Sequence, residues 1–233
     1  MSAWSAATAP LRAWPALEPV PATPPDSSPA AGQFGILFVC RANVCRSVIA
    51  ERVAQRGLRA RLGDDAREFR VTSAGTASLD GCPVHPYTAE ALTWLGADAA
   101  GIASQQLTTA HIDAADLILA AGQEHRDQVV AMRPSASRRA YLLREFARMS
   151  AFAPAAVEGL SAVDQARQLV ADVATLRGRV PYVEPAQDEI TDPVGTPAAF
   201  LSCARVIDAV VSDSLDALCR GVPLDQYRGR HLR

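Results

Sequence analysis

Aromatic residues are scarce in this sequence, cysteines are odd in number, and neither sign of charge predominates. Only 6% of residues are Phe, Trp or Tyr and the formal net charge is −2. That leaves little for base stacking and no broad basic surface, so nucleic acid is not an expected partner, and any anion site must be built locally. No apolar run reaches the roughly 18 residues that a membrane span requires. The opening stretch MSAWSAATAPLRAWPALEPV lacks both a basic segment and a continuous apolar segment, so neither a secretory leader nor membrane association is expected. Five cysteines at irregular spacing argue against a secreted disulfide framework and for a reducing compartment, which makes a cytoplasmic location the expectation. A zinc knuckle is missing too. Cys40 and Cys45 have four residues between them, and Cys82 and His85 stand alone, so no second ligand pair follows and no metal is expected. No internal repeat is visible.

The chain does have apolar material: 49% of its 233 residues are hydrophobic, enough for one sizeable core. Residues 1–33, rich in Ala, Pro and Ser, cannot form such a core and are expected to be a disordered tail. Order is expected from residue 34 to residue 222, followed by a short C-terminal tail over 223–233. Within that span GILFVC reads as a strand buried on both faces, and SVIAERVAQRGLRARL as a helix stopped by Gly63. FRVTSAG, ADLILAAG and the start of 141–150 read as further strands; YTAEALTWLG and EHRDQVVAM read as helices, the second halted by Pro134. Alternating strands and helices imply βαβ units, a parallel sheet covered on both faces. Residues 151–189 are expected to be a helical elaboration, with SAVDQARQLVADVATLRG as a surface helix. Thr196 and Pro197 open a terminal amphipathic helix that Gly221 can end.

The most informative stretch is FVCRANVCRS, which follows the first strand and leads into the first helix. A loop in that position aims successive N–H groups and the positive end of the helix dipole at one point, where an anion fits. Cys40 would meet that point as a stabilised thiolate. The spacing C-x5-R lets Arg46 close the ring and grip two phosphoryl oxygens, which a lysine ammonium does less well. Ser47 can hydrogen-bond the sulfur, and Asn43 can take the left-handed backbone that aims the amides inward. Arg41, Ala42, Asn43, Val44, Cys45, Arg46 and Ser47 would contact phosphate through the backbone, with the Arg41 side chain directed away.

FVCRANVCRSVIAE resembles the active-site signature of the low-molecular-weight protein-tyrosine phosphatases, V-C-x-x-N-x-C-R-S-P-x-A-E. The resemblance continues through VTSAGT, LTTAHIDAADLIL and ITDP, and CRAN and LLREFARM look like the actinobacterial branch. It implies a three-layer αβα sandwich with a four-stranded parallel sheet, no cofactor, and two-step hydrolysis of a phosphomonoester through a cysteinyl-phosphate. Cys40 would be the nucleophile, Arg46 the clamp and Asp192 the general acid. Glu184, Asp188 and Glu189 are close in sequence and are expected to favour the protonated form of Asp192 by like-charge repulsion. Ile102 and Gln105 replace the family's usual His and Arg, which puts the support of Asn43 in question, although Ser73 remains available to it. Val48 replaces the usual proline, and Leu79 stands where many members carry Trp. These features resemble the bacterial branch that acts on phosphotyrosine proteins, including tyrosine kinases of polysaccharide export.

The resemblance also implies that Cys45 can close a protective disulfide onto Cys40. Cys203 and Cys219 are 16 residues apart on one helix, about 24 Å at 1.5 Å per residue, so they cannot pair and read as core or surface thiols. His85 and His125 read as solvated or locally bonded. Two alternatives remain open: a thioredoxin-linked arsenate reductase, for which Cys82 lacks a nearby partner in sequence, and a non-catalytic phosphate-binding relative.

Overall fold

The computed structural model describes residues 32–221. The expected tails, apart from residues 32 and 33, lie outside that range. The first apolar run is strand β1, Phe34–Cys40, buried along its whole length. It is followed by helix α1, Arg46–Leu62, and after a 3-10 turn by β2, Phe69–Gly75. Then come α2 (Pro86–Trp94), α3 (Thr109–Asp113), β3 (Leu117–Ala120), α4 (Gln123–Met132), β4 (Ala140–Leu142) and α5 (Leu143–Ser150). The chain continues through α6 (Ala162–Leu176), α7 (Pro185–Asp188) and α8 (Pro197–Leu218).

The strands form one four-stranded sheet in the order β2-β1-β3-β4, with all neighbours parallel. Register places Cys40 opposite Gly75, and Val39 opposite Ala120, so the carboxyl ends of β1, β2 and β3 share one edge. Side chains along β1 alternate between two cores, as strand geometry requires. Phe34, Ile36 and Phe38 pack with residues of α1, α5, α6 and α8, whereas Leu37 and Val39 pack with Ile112 of α3 and Val129 of α4. The result is the αβα sandwich that the sequence predicts.

Local chemistry accounts for the element ends. Gly63, at φ 55°, stops α1. Thr196 Oγ1 accepts from Ala199 N–H, and Pro197 occupies the first turn of α8. Gly57 allows α1 and α8 to approach closely, because a Cβ there would meet Leu215 Cδ1 at 2.6 Å.

Helix α6 is the surface helix expected over 151–189: Asp164, Arg167, Gln168 and Ala171 are exposed, while Val163, Ala166, Leu169, Val170 and Val173 are buried in the larger core. One element departs from the sequence-based reading. Helix α3 was not foreseen as a helix; Thr108 caps it, with its hydroxyl accepting from His111 N–H.

Candidate active site

The loop 41–45 joins β1 to α1 at the carboxyl edge of the sheet, beside the β1–β3 boundary where the strand order reverses. That is where open α/β sheets form their binding crevice. Donors from outside the loop turn its carbonyls outward. Thr76 N–H donates to Cys40 O at 2.9 Å, Ala77 N–H to Arg41 O at 2.8 Å, Ser78 Oγ to Ala42 O at 3.0 Å and His85 N–H to Val44 O at 3.1 Å. Carbonyls held outward leave the loop amides and the first turn of α1 to face its centre, the arrangement that receives an oxyanion. Gly75 is needed for this approach: a Cβ there would meet Arg41 O at 2.6 Å and Asn43 N at 2.9 Å.

Asn43 is the one non-glycine residue among those described with a positive φ, 54°. Its buried side chain organises the loop. Nδ2 donates to Ser47 Oγ at 2.9 Å and to Ser73 Oγ at 2.8 Å, while Oδ1 accepts from Gln105 N–H at 2.8 Å. Each serine hydroxyl that accepts from Asn43 keeps its own proton to donate elsewhere. Ser47 is thereby directed to Cys40 Sγ, at 2.9 Å, and Ser73 donates to Glu51 Oε2 at 2.6 Å. Burial pushes the Glu51 carboxyl up, opposed by that hydrogen bond and by Arg52.

The network answers the question raised by Ile102 and Gln105. Ile102 joins the core, and Gln105 supports Asn43 through its main chain, while its side-chain Oε1 meets His111 Nε2 at 3.1 Å. Arg41 is exposed and Ala42 and Val44 are half-buried, while Cys40, Asn43, Cys45, Arg46 and Ser47 are buried.

Asp192 reaches the same place from far along the chain. Its Oδ1 lies 2.9 Å from Arg46 Nε, and Arg46 Nη1 donates to Ile190 O at 3.0 Å. The Asp192 side chain is 57% exposed and that of Arg46 is 9% exposed, so the acid stands on the solvent side of a buried guanidinium. The segment leading to it is pinned to the sheet, with Ile190 N–H donating to Ala121 O at 2.8 Å and Gln123 N–H to Glu189 Oε1 at 3.0 Å.

This anchoring corrects the expectation that three acids crowd Asp192. Asp188 pairs with Arg148 at 2.6 Å, Glu189 caps α4, and Glu184 accepts from Tyr182 Oη at 3.2 Å. The charge that faces Asp192 is the cation Arg46.

His125 also departs from its reading. It is 2% exposed, and its ring nitrogens lack hydrogen-bond partners; Glu124 Oε1 comes within 3.2 Å of Nε2 without suitable geometry. Burial and the nearby Arg46 push its pKa down, opposed by Glu124, Asp192 and Glu189. His85, in contrast, is locally bonded: Nδ1 accepts from Tyr87 N–H at 3.2 Å and the ring stacks on Phe200 at 4.4 Å.

Sequence reasoning gave no role to Glu51, His125 or Cys203. Glu51 had a signal, the acid that ends the loop signature, whereas nothing local marks His125. Cys203 of α8 packs against the core that holds Cys45, and its thiol lies 3.7 Å from Thr191 O.

Together these features define a class: a parallel α/β domain with a cysteine at the centre of an amide-lined anion loop, an arginine beside it and a carboxylic acid above. The family model described as low molecular weight phosphotyrosine protein phosphatase matches residues 35–159, and the chain belongs to that family. It is 33% identical over 110 residues to the probable low molecular weight protein-tyrosine-phosphatase EpsP of Ralstonia solanacearum, covering 47% of this chain and 70% of that protein. It is 31% identical over 113 residues to the protein-arginine-phosphatase of Geobacillus stearothermophilus, covering 48% and 71%. The Erwinia amylovora tyrosine phosphatase AmsI has the same fold, with a TM-score of 0.56 at 24% identity over 80% of this chain and 93% of the other. Asp192 and α8 lie beyond the span matched by the family model.

Proposed function

We infer that this chain hydrolyses phosphotyrosine monoesters in proteins, and that residues 34–222 act as one phosphatase domain. The observation that carries the reading is the meeting of Cys40 and its loop with Asp192 through a shared arginine, the 2.9 Å pair between Arg46 and Asp192. In the first step Cys40 Sγ attacks phosphorus, the phosphoryl oxygens take the loop amides and Arg46, and Asp192 gives its proton to the departing phenolate. In the second step Asp192 takes a proton from water as it attacks the cysteinyl-phosphate. The Ser47 hydroxyl, 2.9 Å from Cys40 Sγ, then stabilises the leaving thiolate. Arg46 cannot bind phosphate and hold Asp192 through the same N–H, so arrival of the anion releases the acid toward the leaving group.

The rim favours an aromatic ester. Leu79 and Val194 are both 77% exposed; Leu79 follows Ser78, which holds the loop, and Val194 follows the acid by two residues. The partner class implied by the resemblance is a bacterial tyrosine kinase of polysaccharide export. No helix of the described residues is long and apolar enough to cross a membrane.

The test is turnover of p-nitrophenyl phosphate, a phosphotyrosine peptide and a phosphoarginine peptide by the wild type and Cys40→Ser. Vanadate-sensitive turnover of the first two, reduced at least about 10³-fold in Cys40→Ser, is expected. No such turnover in the wild type, or hydrolysis of phosphoarginine alone, overturns the reading.

A further inference from the structure

His85 takes part in no step of the chemistry, yet it touches two parts of the site through two different groups. Its main-chain N–H donates to Val44 O at 3.1 Å, one of the bonds that hold the carbonyls of the phosphate loop outward. Its ring stacks on that of Phe200, with centroids 4.4 Å apart and planes 22° from parallel. Phe200 lies in the first turn of α8, and its own N–H donates to Thr196 O, at the cap, at 3.3 Å.

The stack is held in place from both sides. His85 Nδ1 accepts from Tyr87 N–H at 3.2 Å, which fixes the rotation of the ring at the start of α2 and leaves the proton of the neutral imidazole on Nε2. Tyr87 meets Phe200 edge-on at 5.6 Å, so two rings bracket Phe200. Phe200 is buried and His85 half-buried. The first turn of α8 is thereby tied to the residue that supports Val44.

The consequence concerns Asp192. Its 2.9 Å pair with Arg46 competes with phosphate for the same guanidinium. Once Arg46 turns to the anion, the place of the acid is set by where its segment is tied down. One tie is to the sheet, from Ile190 N–H to Ala121 O at 2.8 Å. The other is α8, which begins just past the acid: Thr196 caps it, and Cys203 Sγ in its second turn lies 3.7 Å from Thr191 O. Asp192 is slung between these two ties.

We propose that His85 is a positioning residue that sets where Asp192 stands over the phosphate loop, acting through its stack on Phe200. The His85 main chain fixes one end of this bridge to the loop, and Phe200 fixes the other to the helix that follows the acid. Proton transfer requires Asp192 within hydrogen-bond reach of the leaving oxygen, so a loosened α8 slows chiefly those substrates that need the proton. The proposal rests on the reading of Asp192 as the general acid.

Two substitutions separate the stack from the helix cap. His85→Asn keeps a cap acceptor for α2 and loses the stack, whereas His85→Phe keeps a stacking ring and loses the acceptor. Turnover of aryl phosphates of graded leaving-group pKa is measured beside wild type and Asp192→Asn. In His85→Asn, turnover of phenyl phosphate should fall about 3- to 10-fold and that of p-nitrophenyl phosphate much less, so its line steepens in the direction of Asp192→Asn. His85→Phe should keep the wild-type slope. Inorganic phosphate should inhibit wild type and both His85 variants alike, because the main-chain bond to Val44 remains. Phe200→Leu should steepen the line from the other side of the stack, and adding His85→Asn to it should steepen it no further.

Parallel lines for His85→Asn and wild type, beside a steeper Asp192→Asn, overturn the proposal and leave the phosphatase reading intact. A line for His85→Phe as steep as that of His85→Asn does the same. An Asp192→Asn line parallel to wild type removes the acid, and the proposal with it. Hydrogen exchange over 197–205 needs no turnover: it should quicken in His85→Asn and not in His85→Phe, and equal exchange in wild type and His85→Asn overturns the proposal. A chain whose exchange responds as expected but which hydrolyses no phosphate ester rejects the phosphatase reading and leaves the bridge from loop to helix standing.

Discussion

The phosphate loop and the segment that brings Asp192 to it are built on opposite plans. The loop is buried and tied from several sides: by the turn after β2, by Gln105 and by the chain of hydrogen bonds from Glu51 to Cys40. The segment is fixed as far as Ile190, after which Asp192 stands 57% exposed on a single ion pair. A group that must bind a phosphoryl oxyanion gains from donors fixed in advance, because no reorganisation is then needed during the reaction. A group that gives a proton to one oxygen and later takes one from water must be able to move. The two plans suit the two tasks.

Replacing Asp192 should break the comparison from the exposed side and have the largest effect. Asp192→Asn keeps the shape and removes the proton, so turnover of phenyl phosphate should fall by about 10²–10³-fold, some 3–4 kcal/mol in barrier. With p-nitrophenyl phosphate, whose leaving group needs little proton transfer, the loss should be much smaller. A plot of log kcat against leaving-group pKa checks this: the variant's line should be markedly steeper. Parallel lines would remove Asp192 from the acid role.

Asn43 probes the buried side. Asn43→Ala gives up the side-chain bonds to Ser47, Ser73 and Gln105 and leaves at φ 54° a residue without asparagine's tolerance of that angle. The expected cost in urea unfolding is about 2–4 kcal/mol, of which Asn43→Gly should recover about 1 kcal/mol because glycine tolerates the backbone angle. Equal losses in both variants would mean that backbone strain has no part in the site. Unlike Asp192→Asn, both should slow good and poor leaving groups alike, since the loop serves the phosphoryl group common to all substrates.

How much of this was legible in the sequence follows the same division. β1, β2 and the start of α8 were legible because their signals are local: an apolar run, a closing glycine, Thr196 before Pro197. The loop was legible because its residues are consecutive and their roles follow from spacing. Helix α6 was legible as a surface helix, but how deeply its apolar face sinks was not, because its alanines and spaced valines suit a shallow face as well as a deep one and only the presence of β1, α5 and α8 on one side decides. The acids before Asp192 misled because nearness along an extended segment is not nearness in space: Asp188, Glu189 and Glu184 turn to Arg148, α4 and Tyr182. The packing of Cys203 against the core that holds Cys45 was not legible for a further reason: it exists only when α8 packs on α1, so no window of sequence contains it.

His125 belongs to neither plan and offers the smallest, cleanest perturbation. It sits at the start of α4, buried, toward Arg46 and Asp192. Burial first, and Arg46 second, hold it below its ordinary value of 6.5. Above that value the ring is neutral in both folded and unfolded chains and contributes no pH dependence. As the pH falls below it, the unfolded chain binds a proton that the folded chain refuses, so stability declines toward the folded pKa and levels off beneath it. One such group gives a slope of at most about 1.4 kcal/mol per pH unit. Burial lowers His85 and His111 as well, so acid sensitivity as such does not single out His125. His125→Gln isolates its share: urea unfolding at pH 7.5, 6.5 and 5.5 should give a shallower acid decline than wild type, with little difference at pH 7.5 beyond a constant packing offset. An unchanged slope would mean that the ring takes up its proton in the folded state, and that the cation Arg46 does not govern the charge beneath the site.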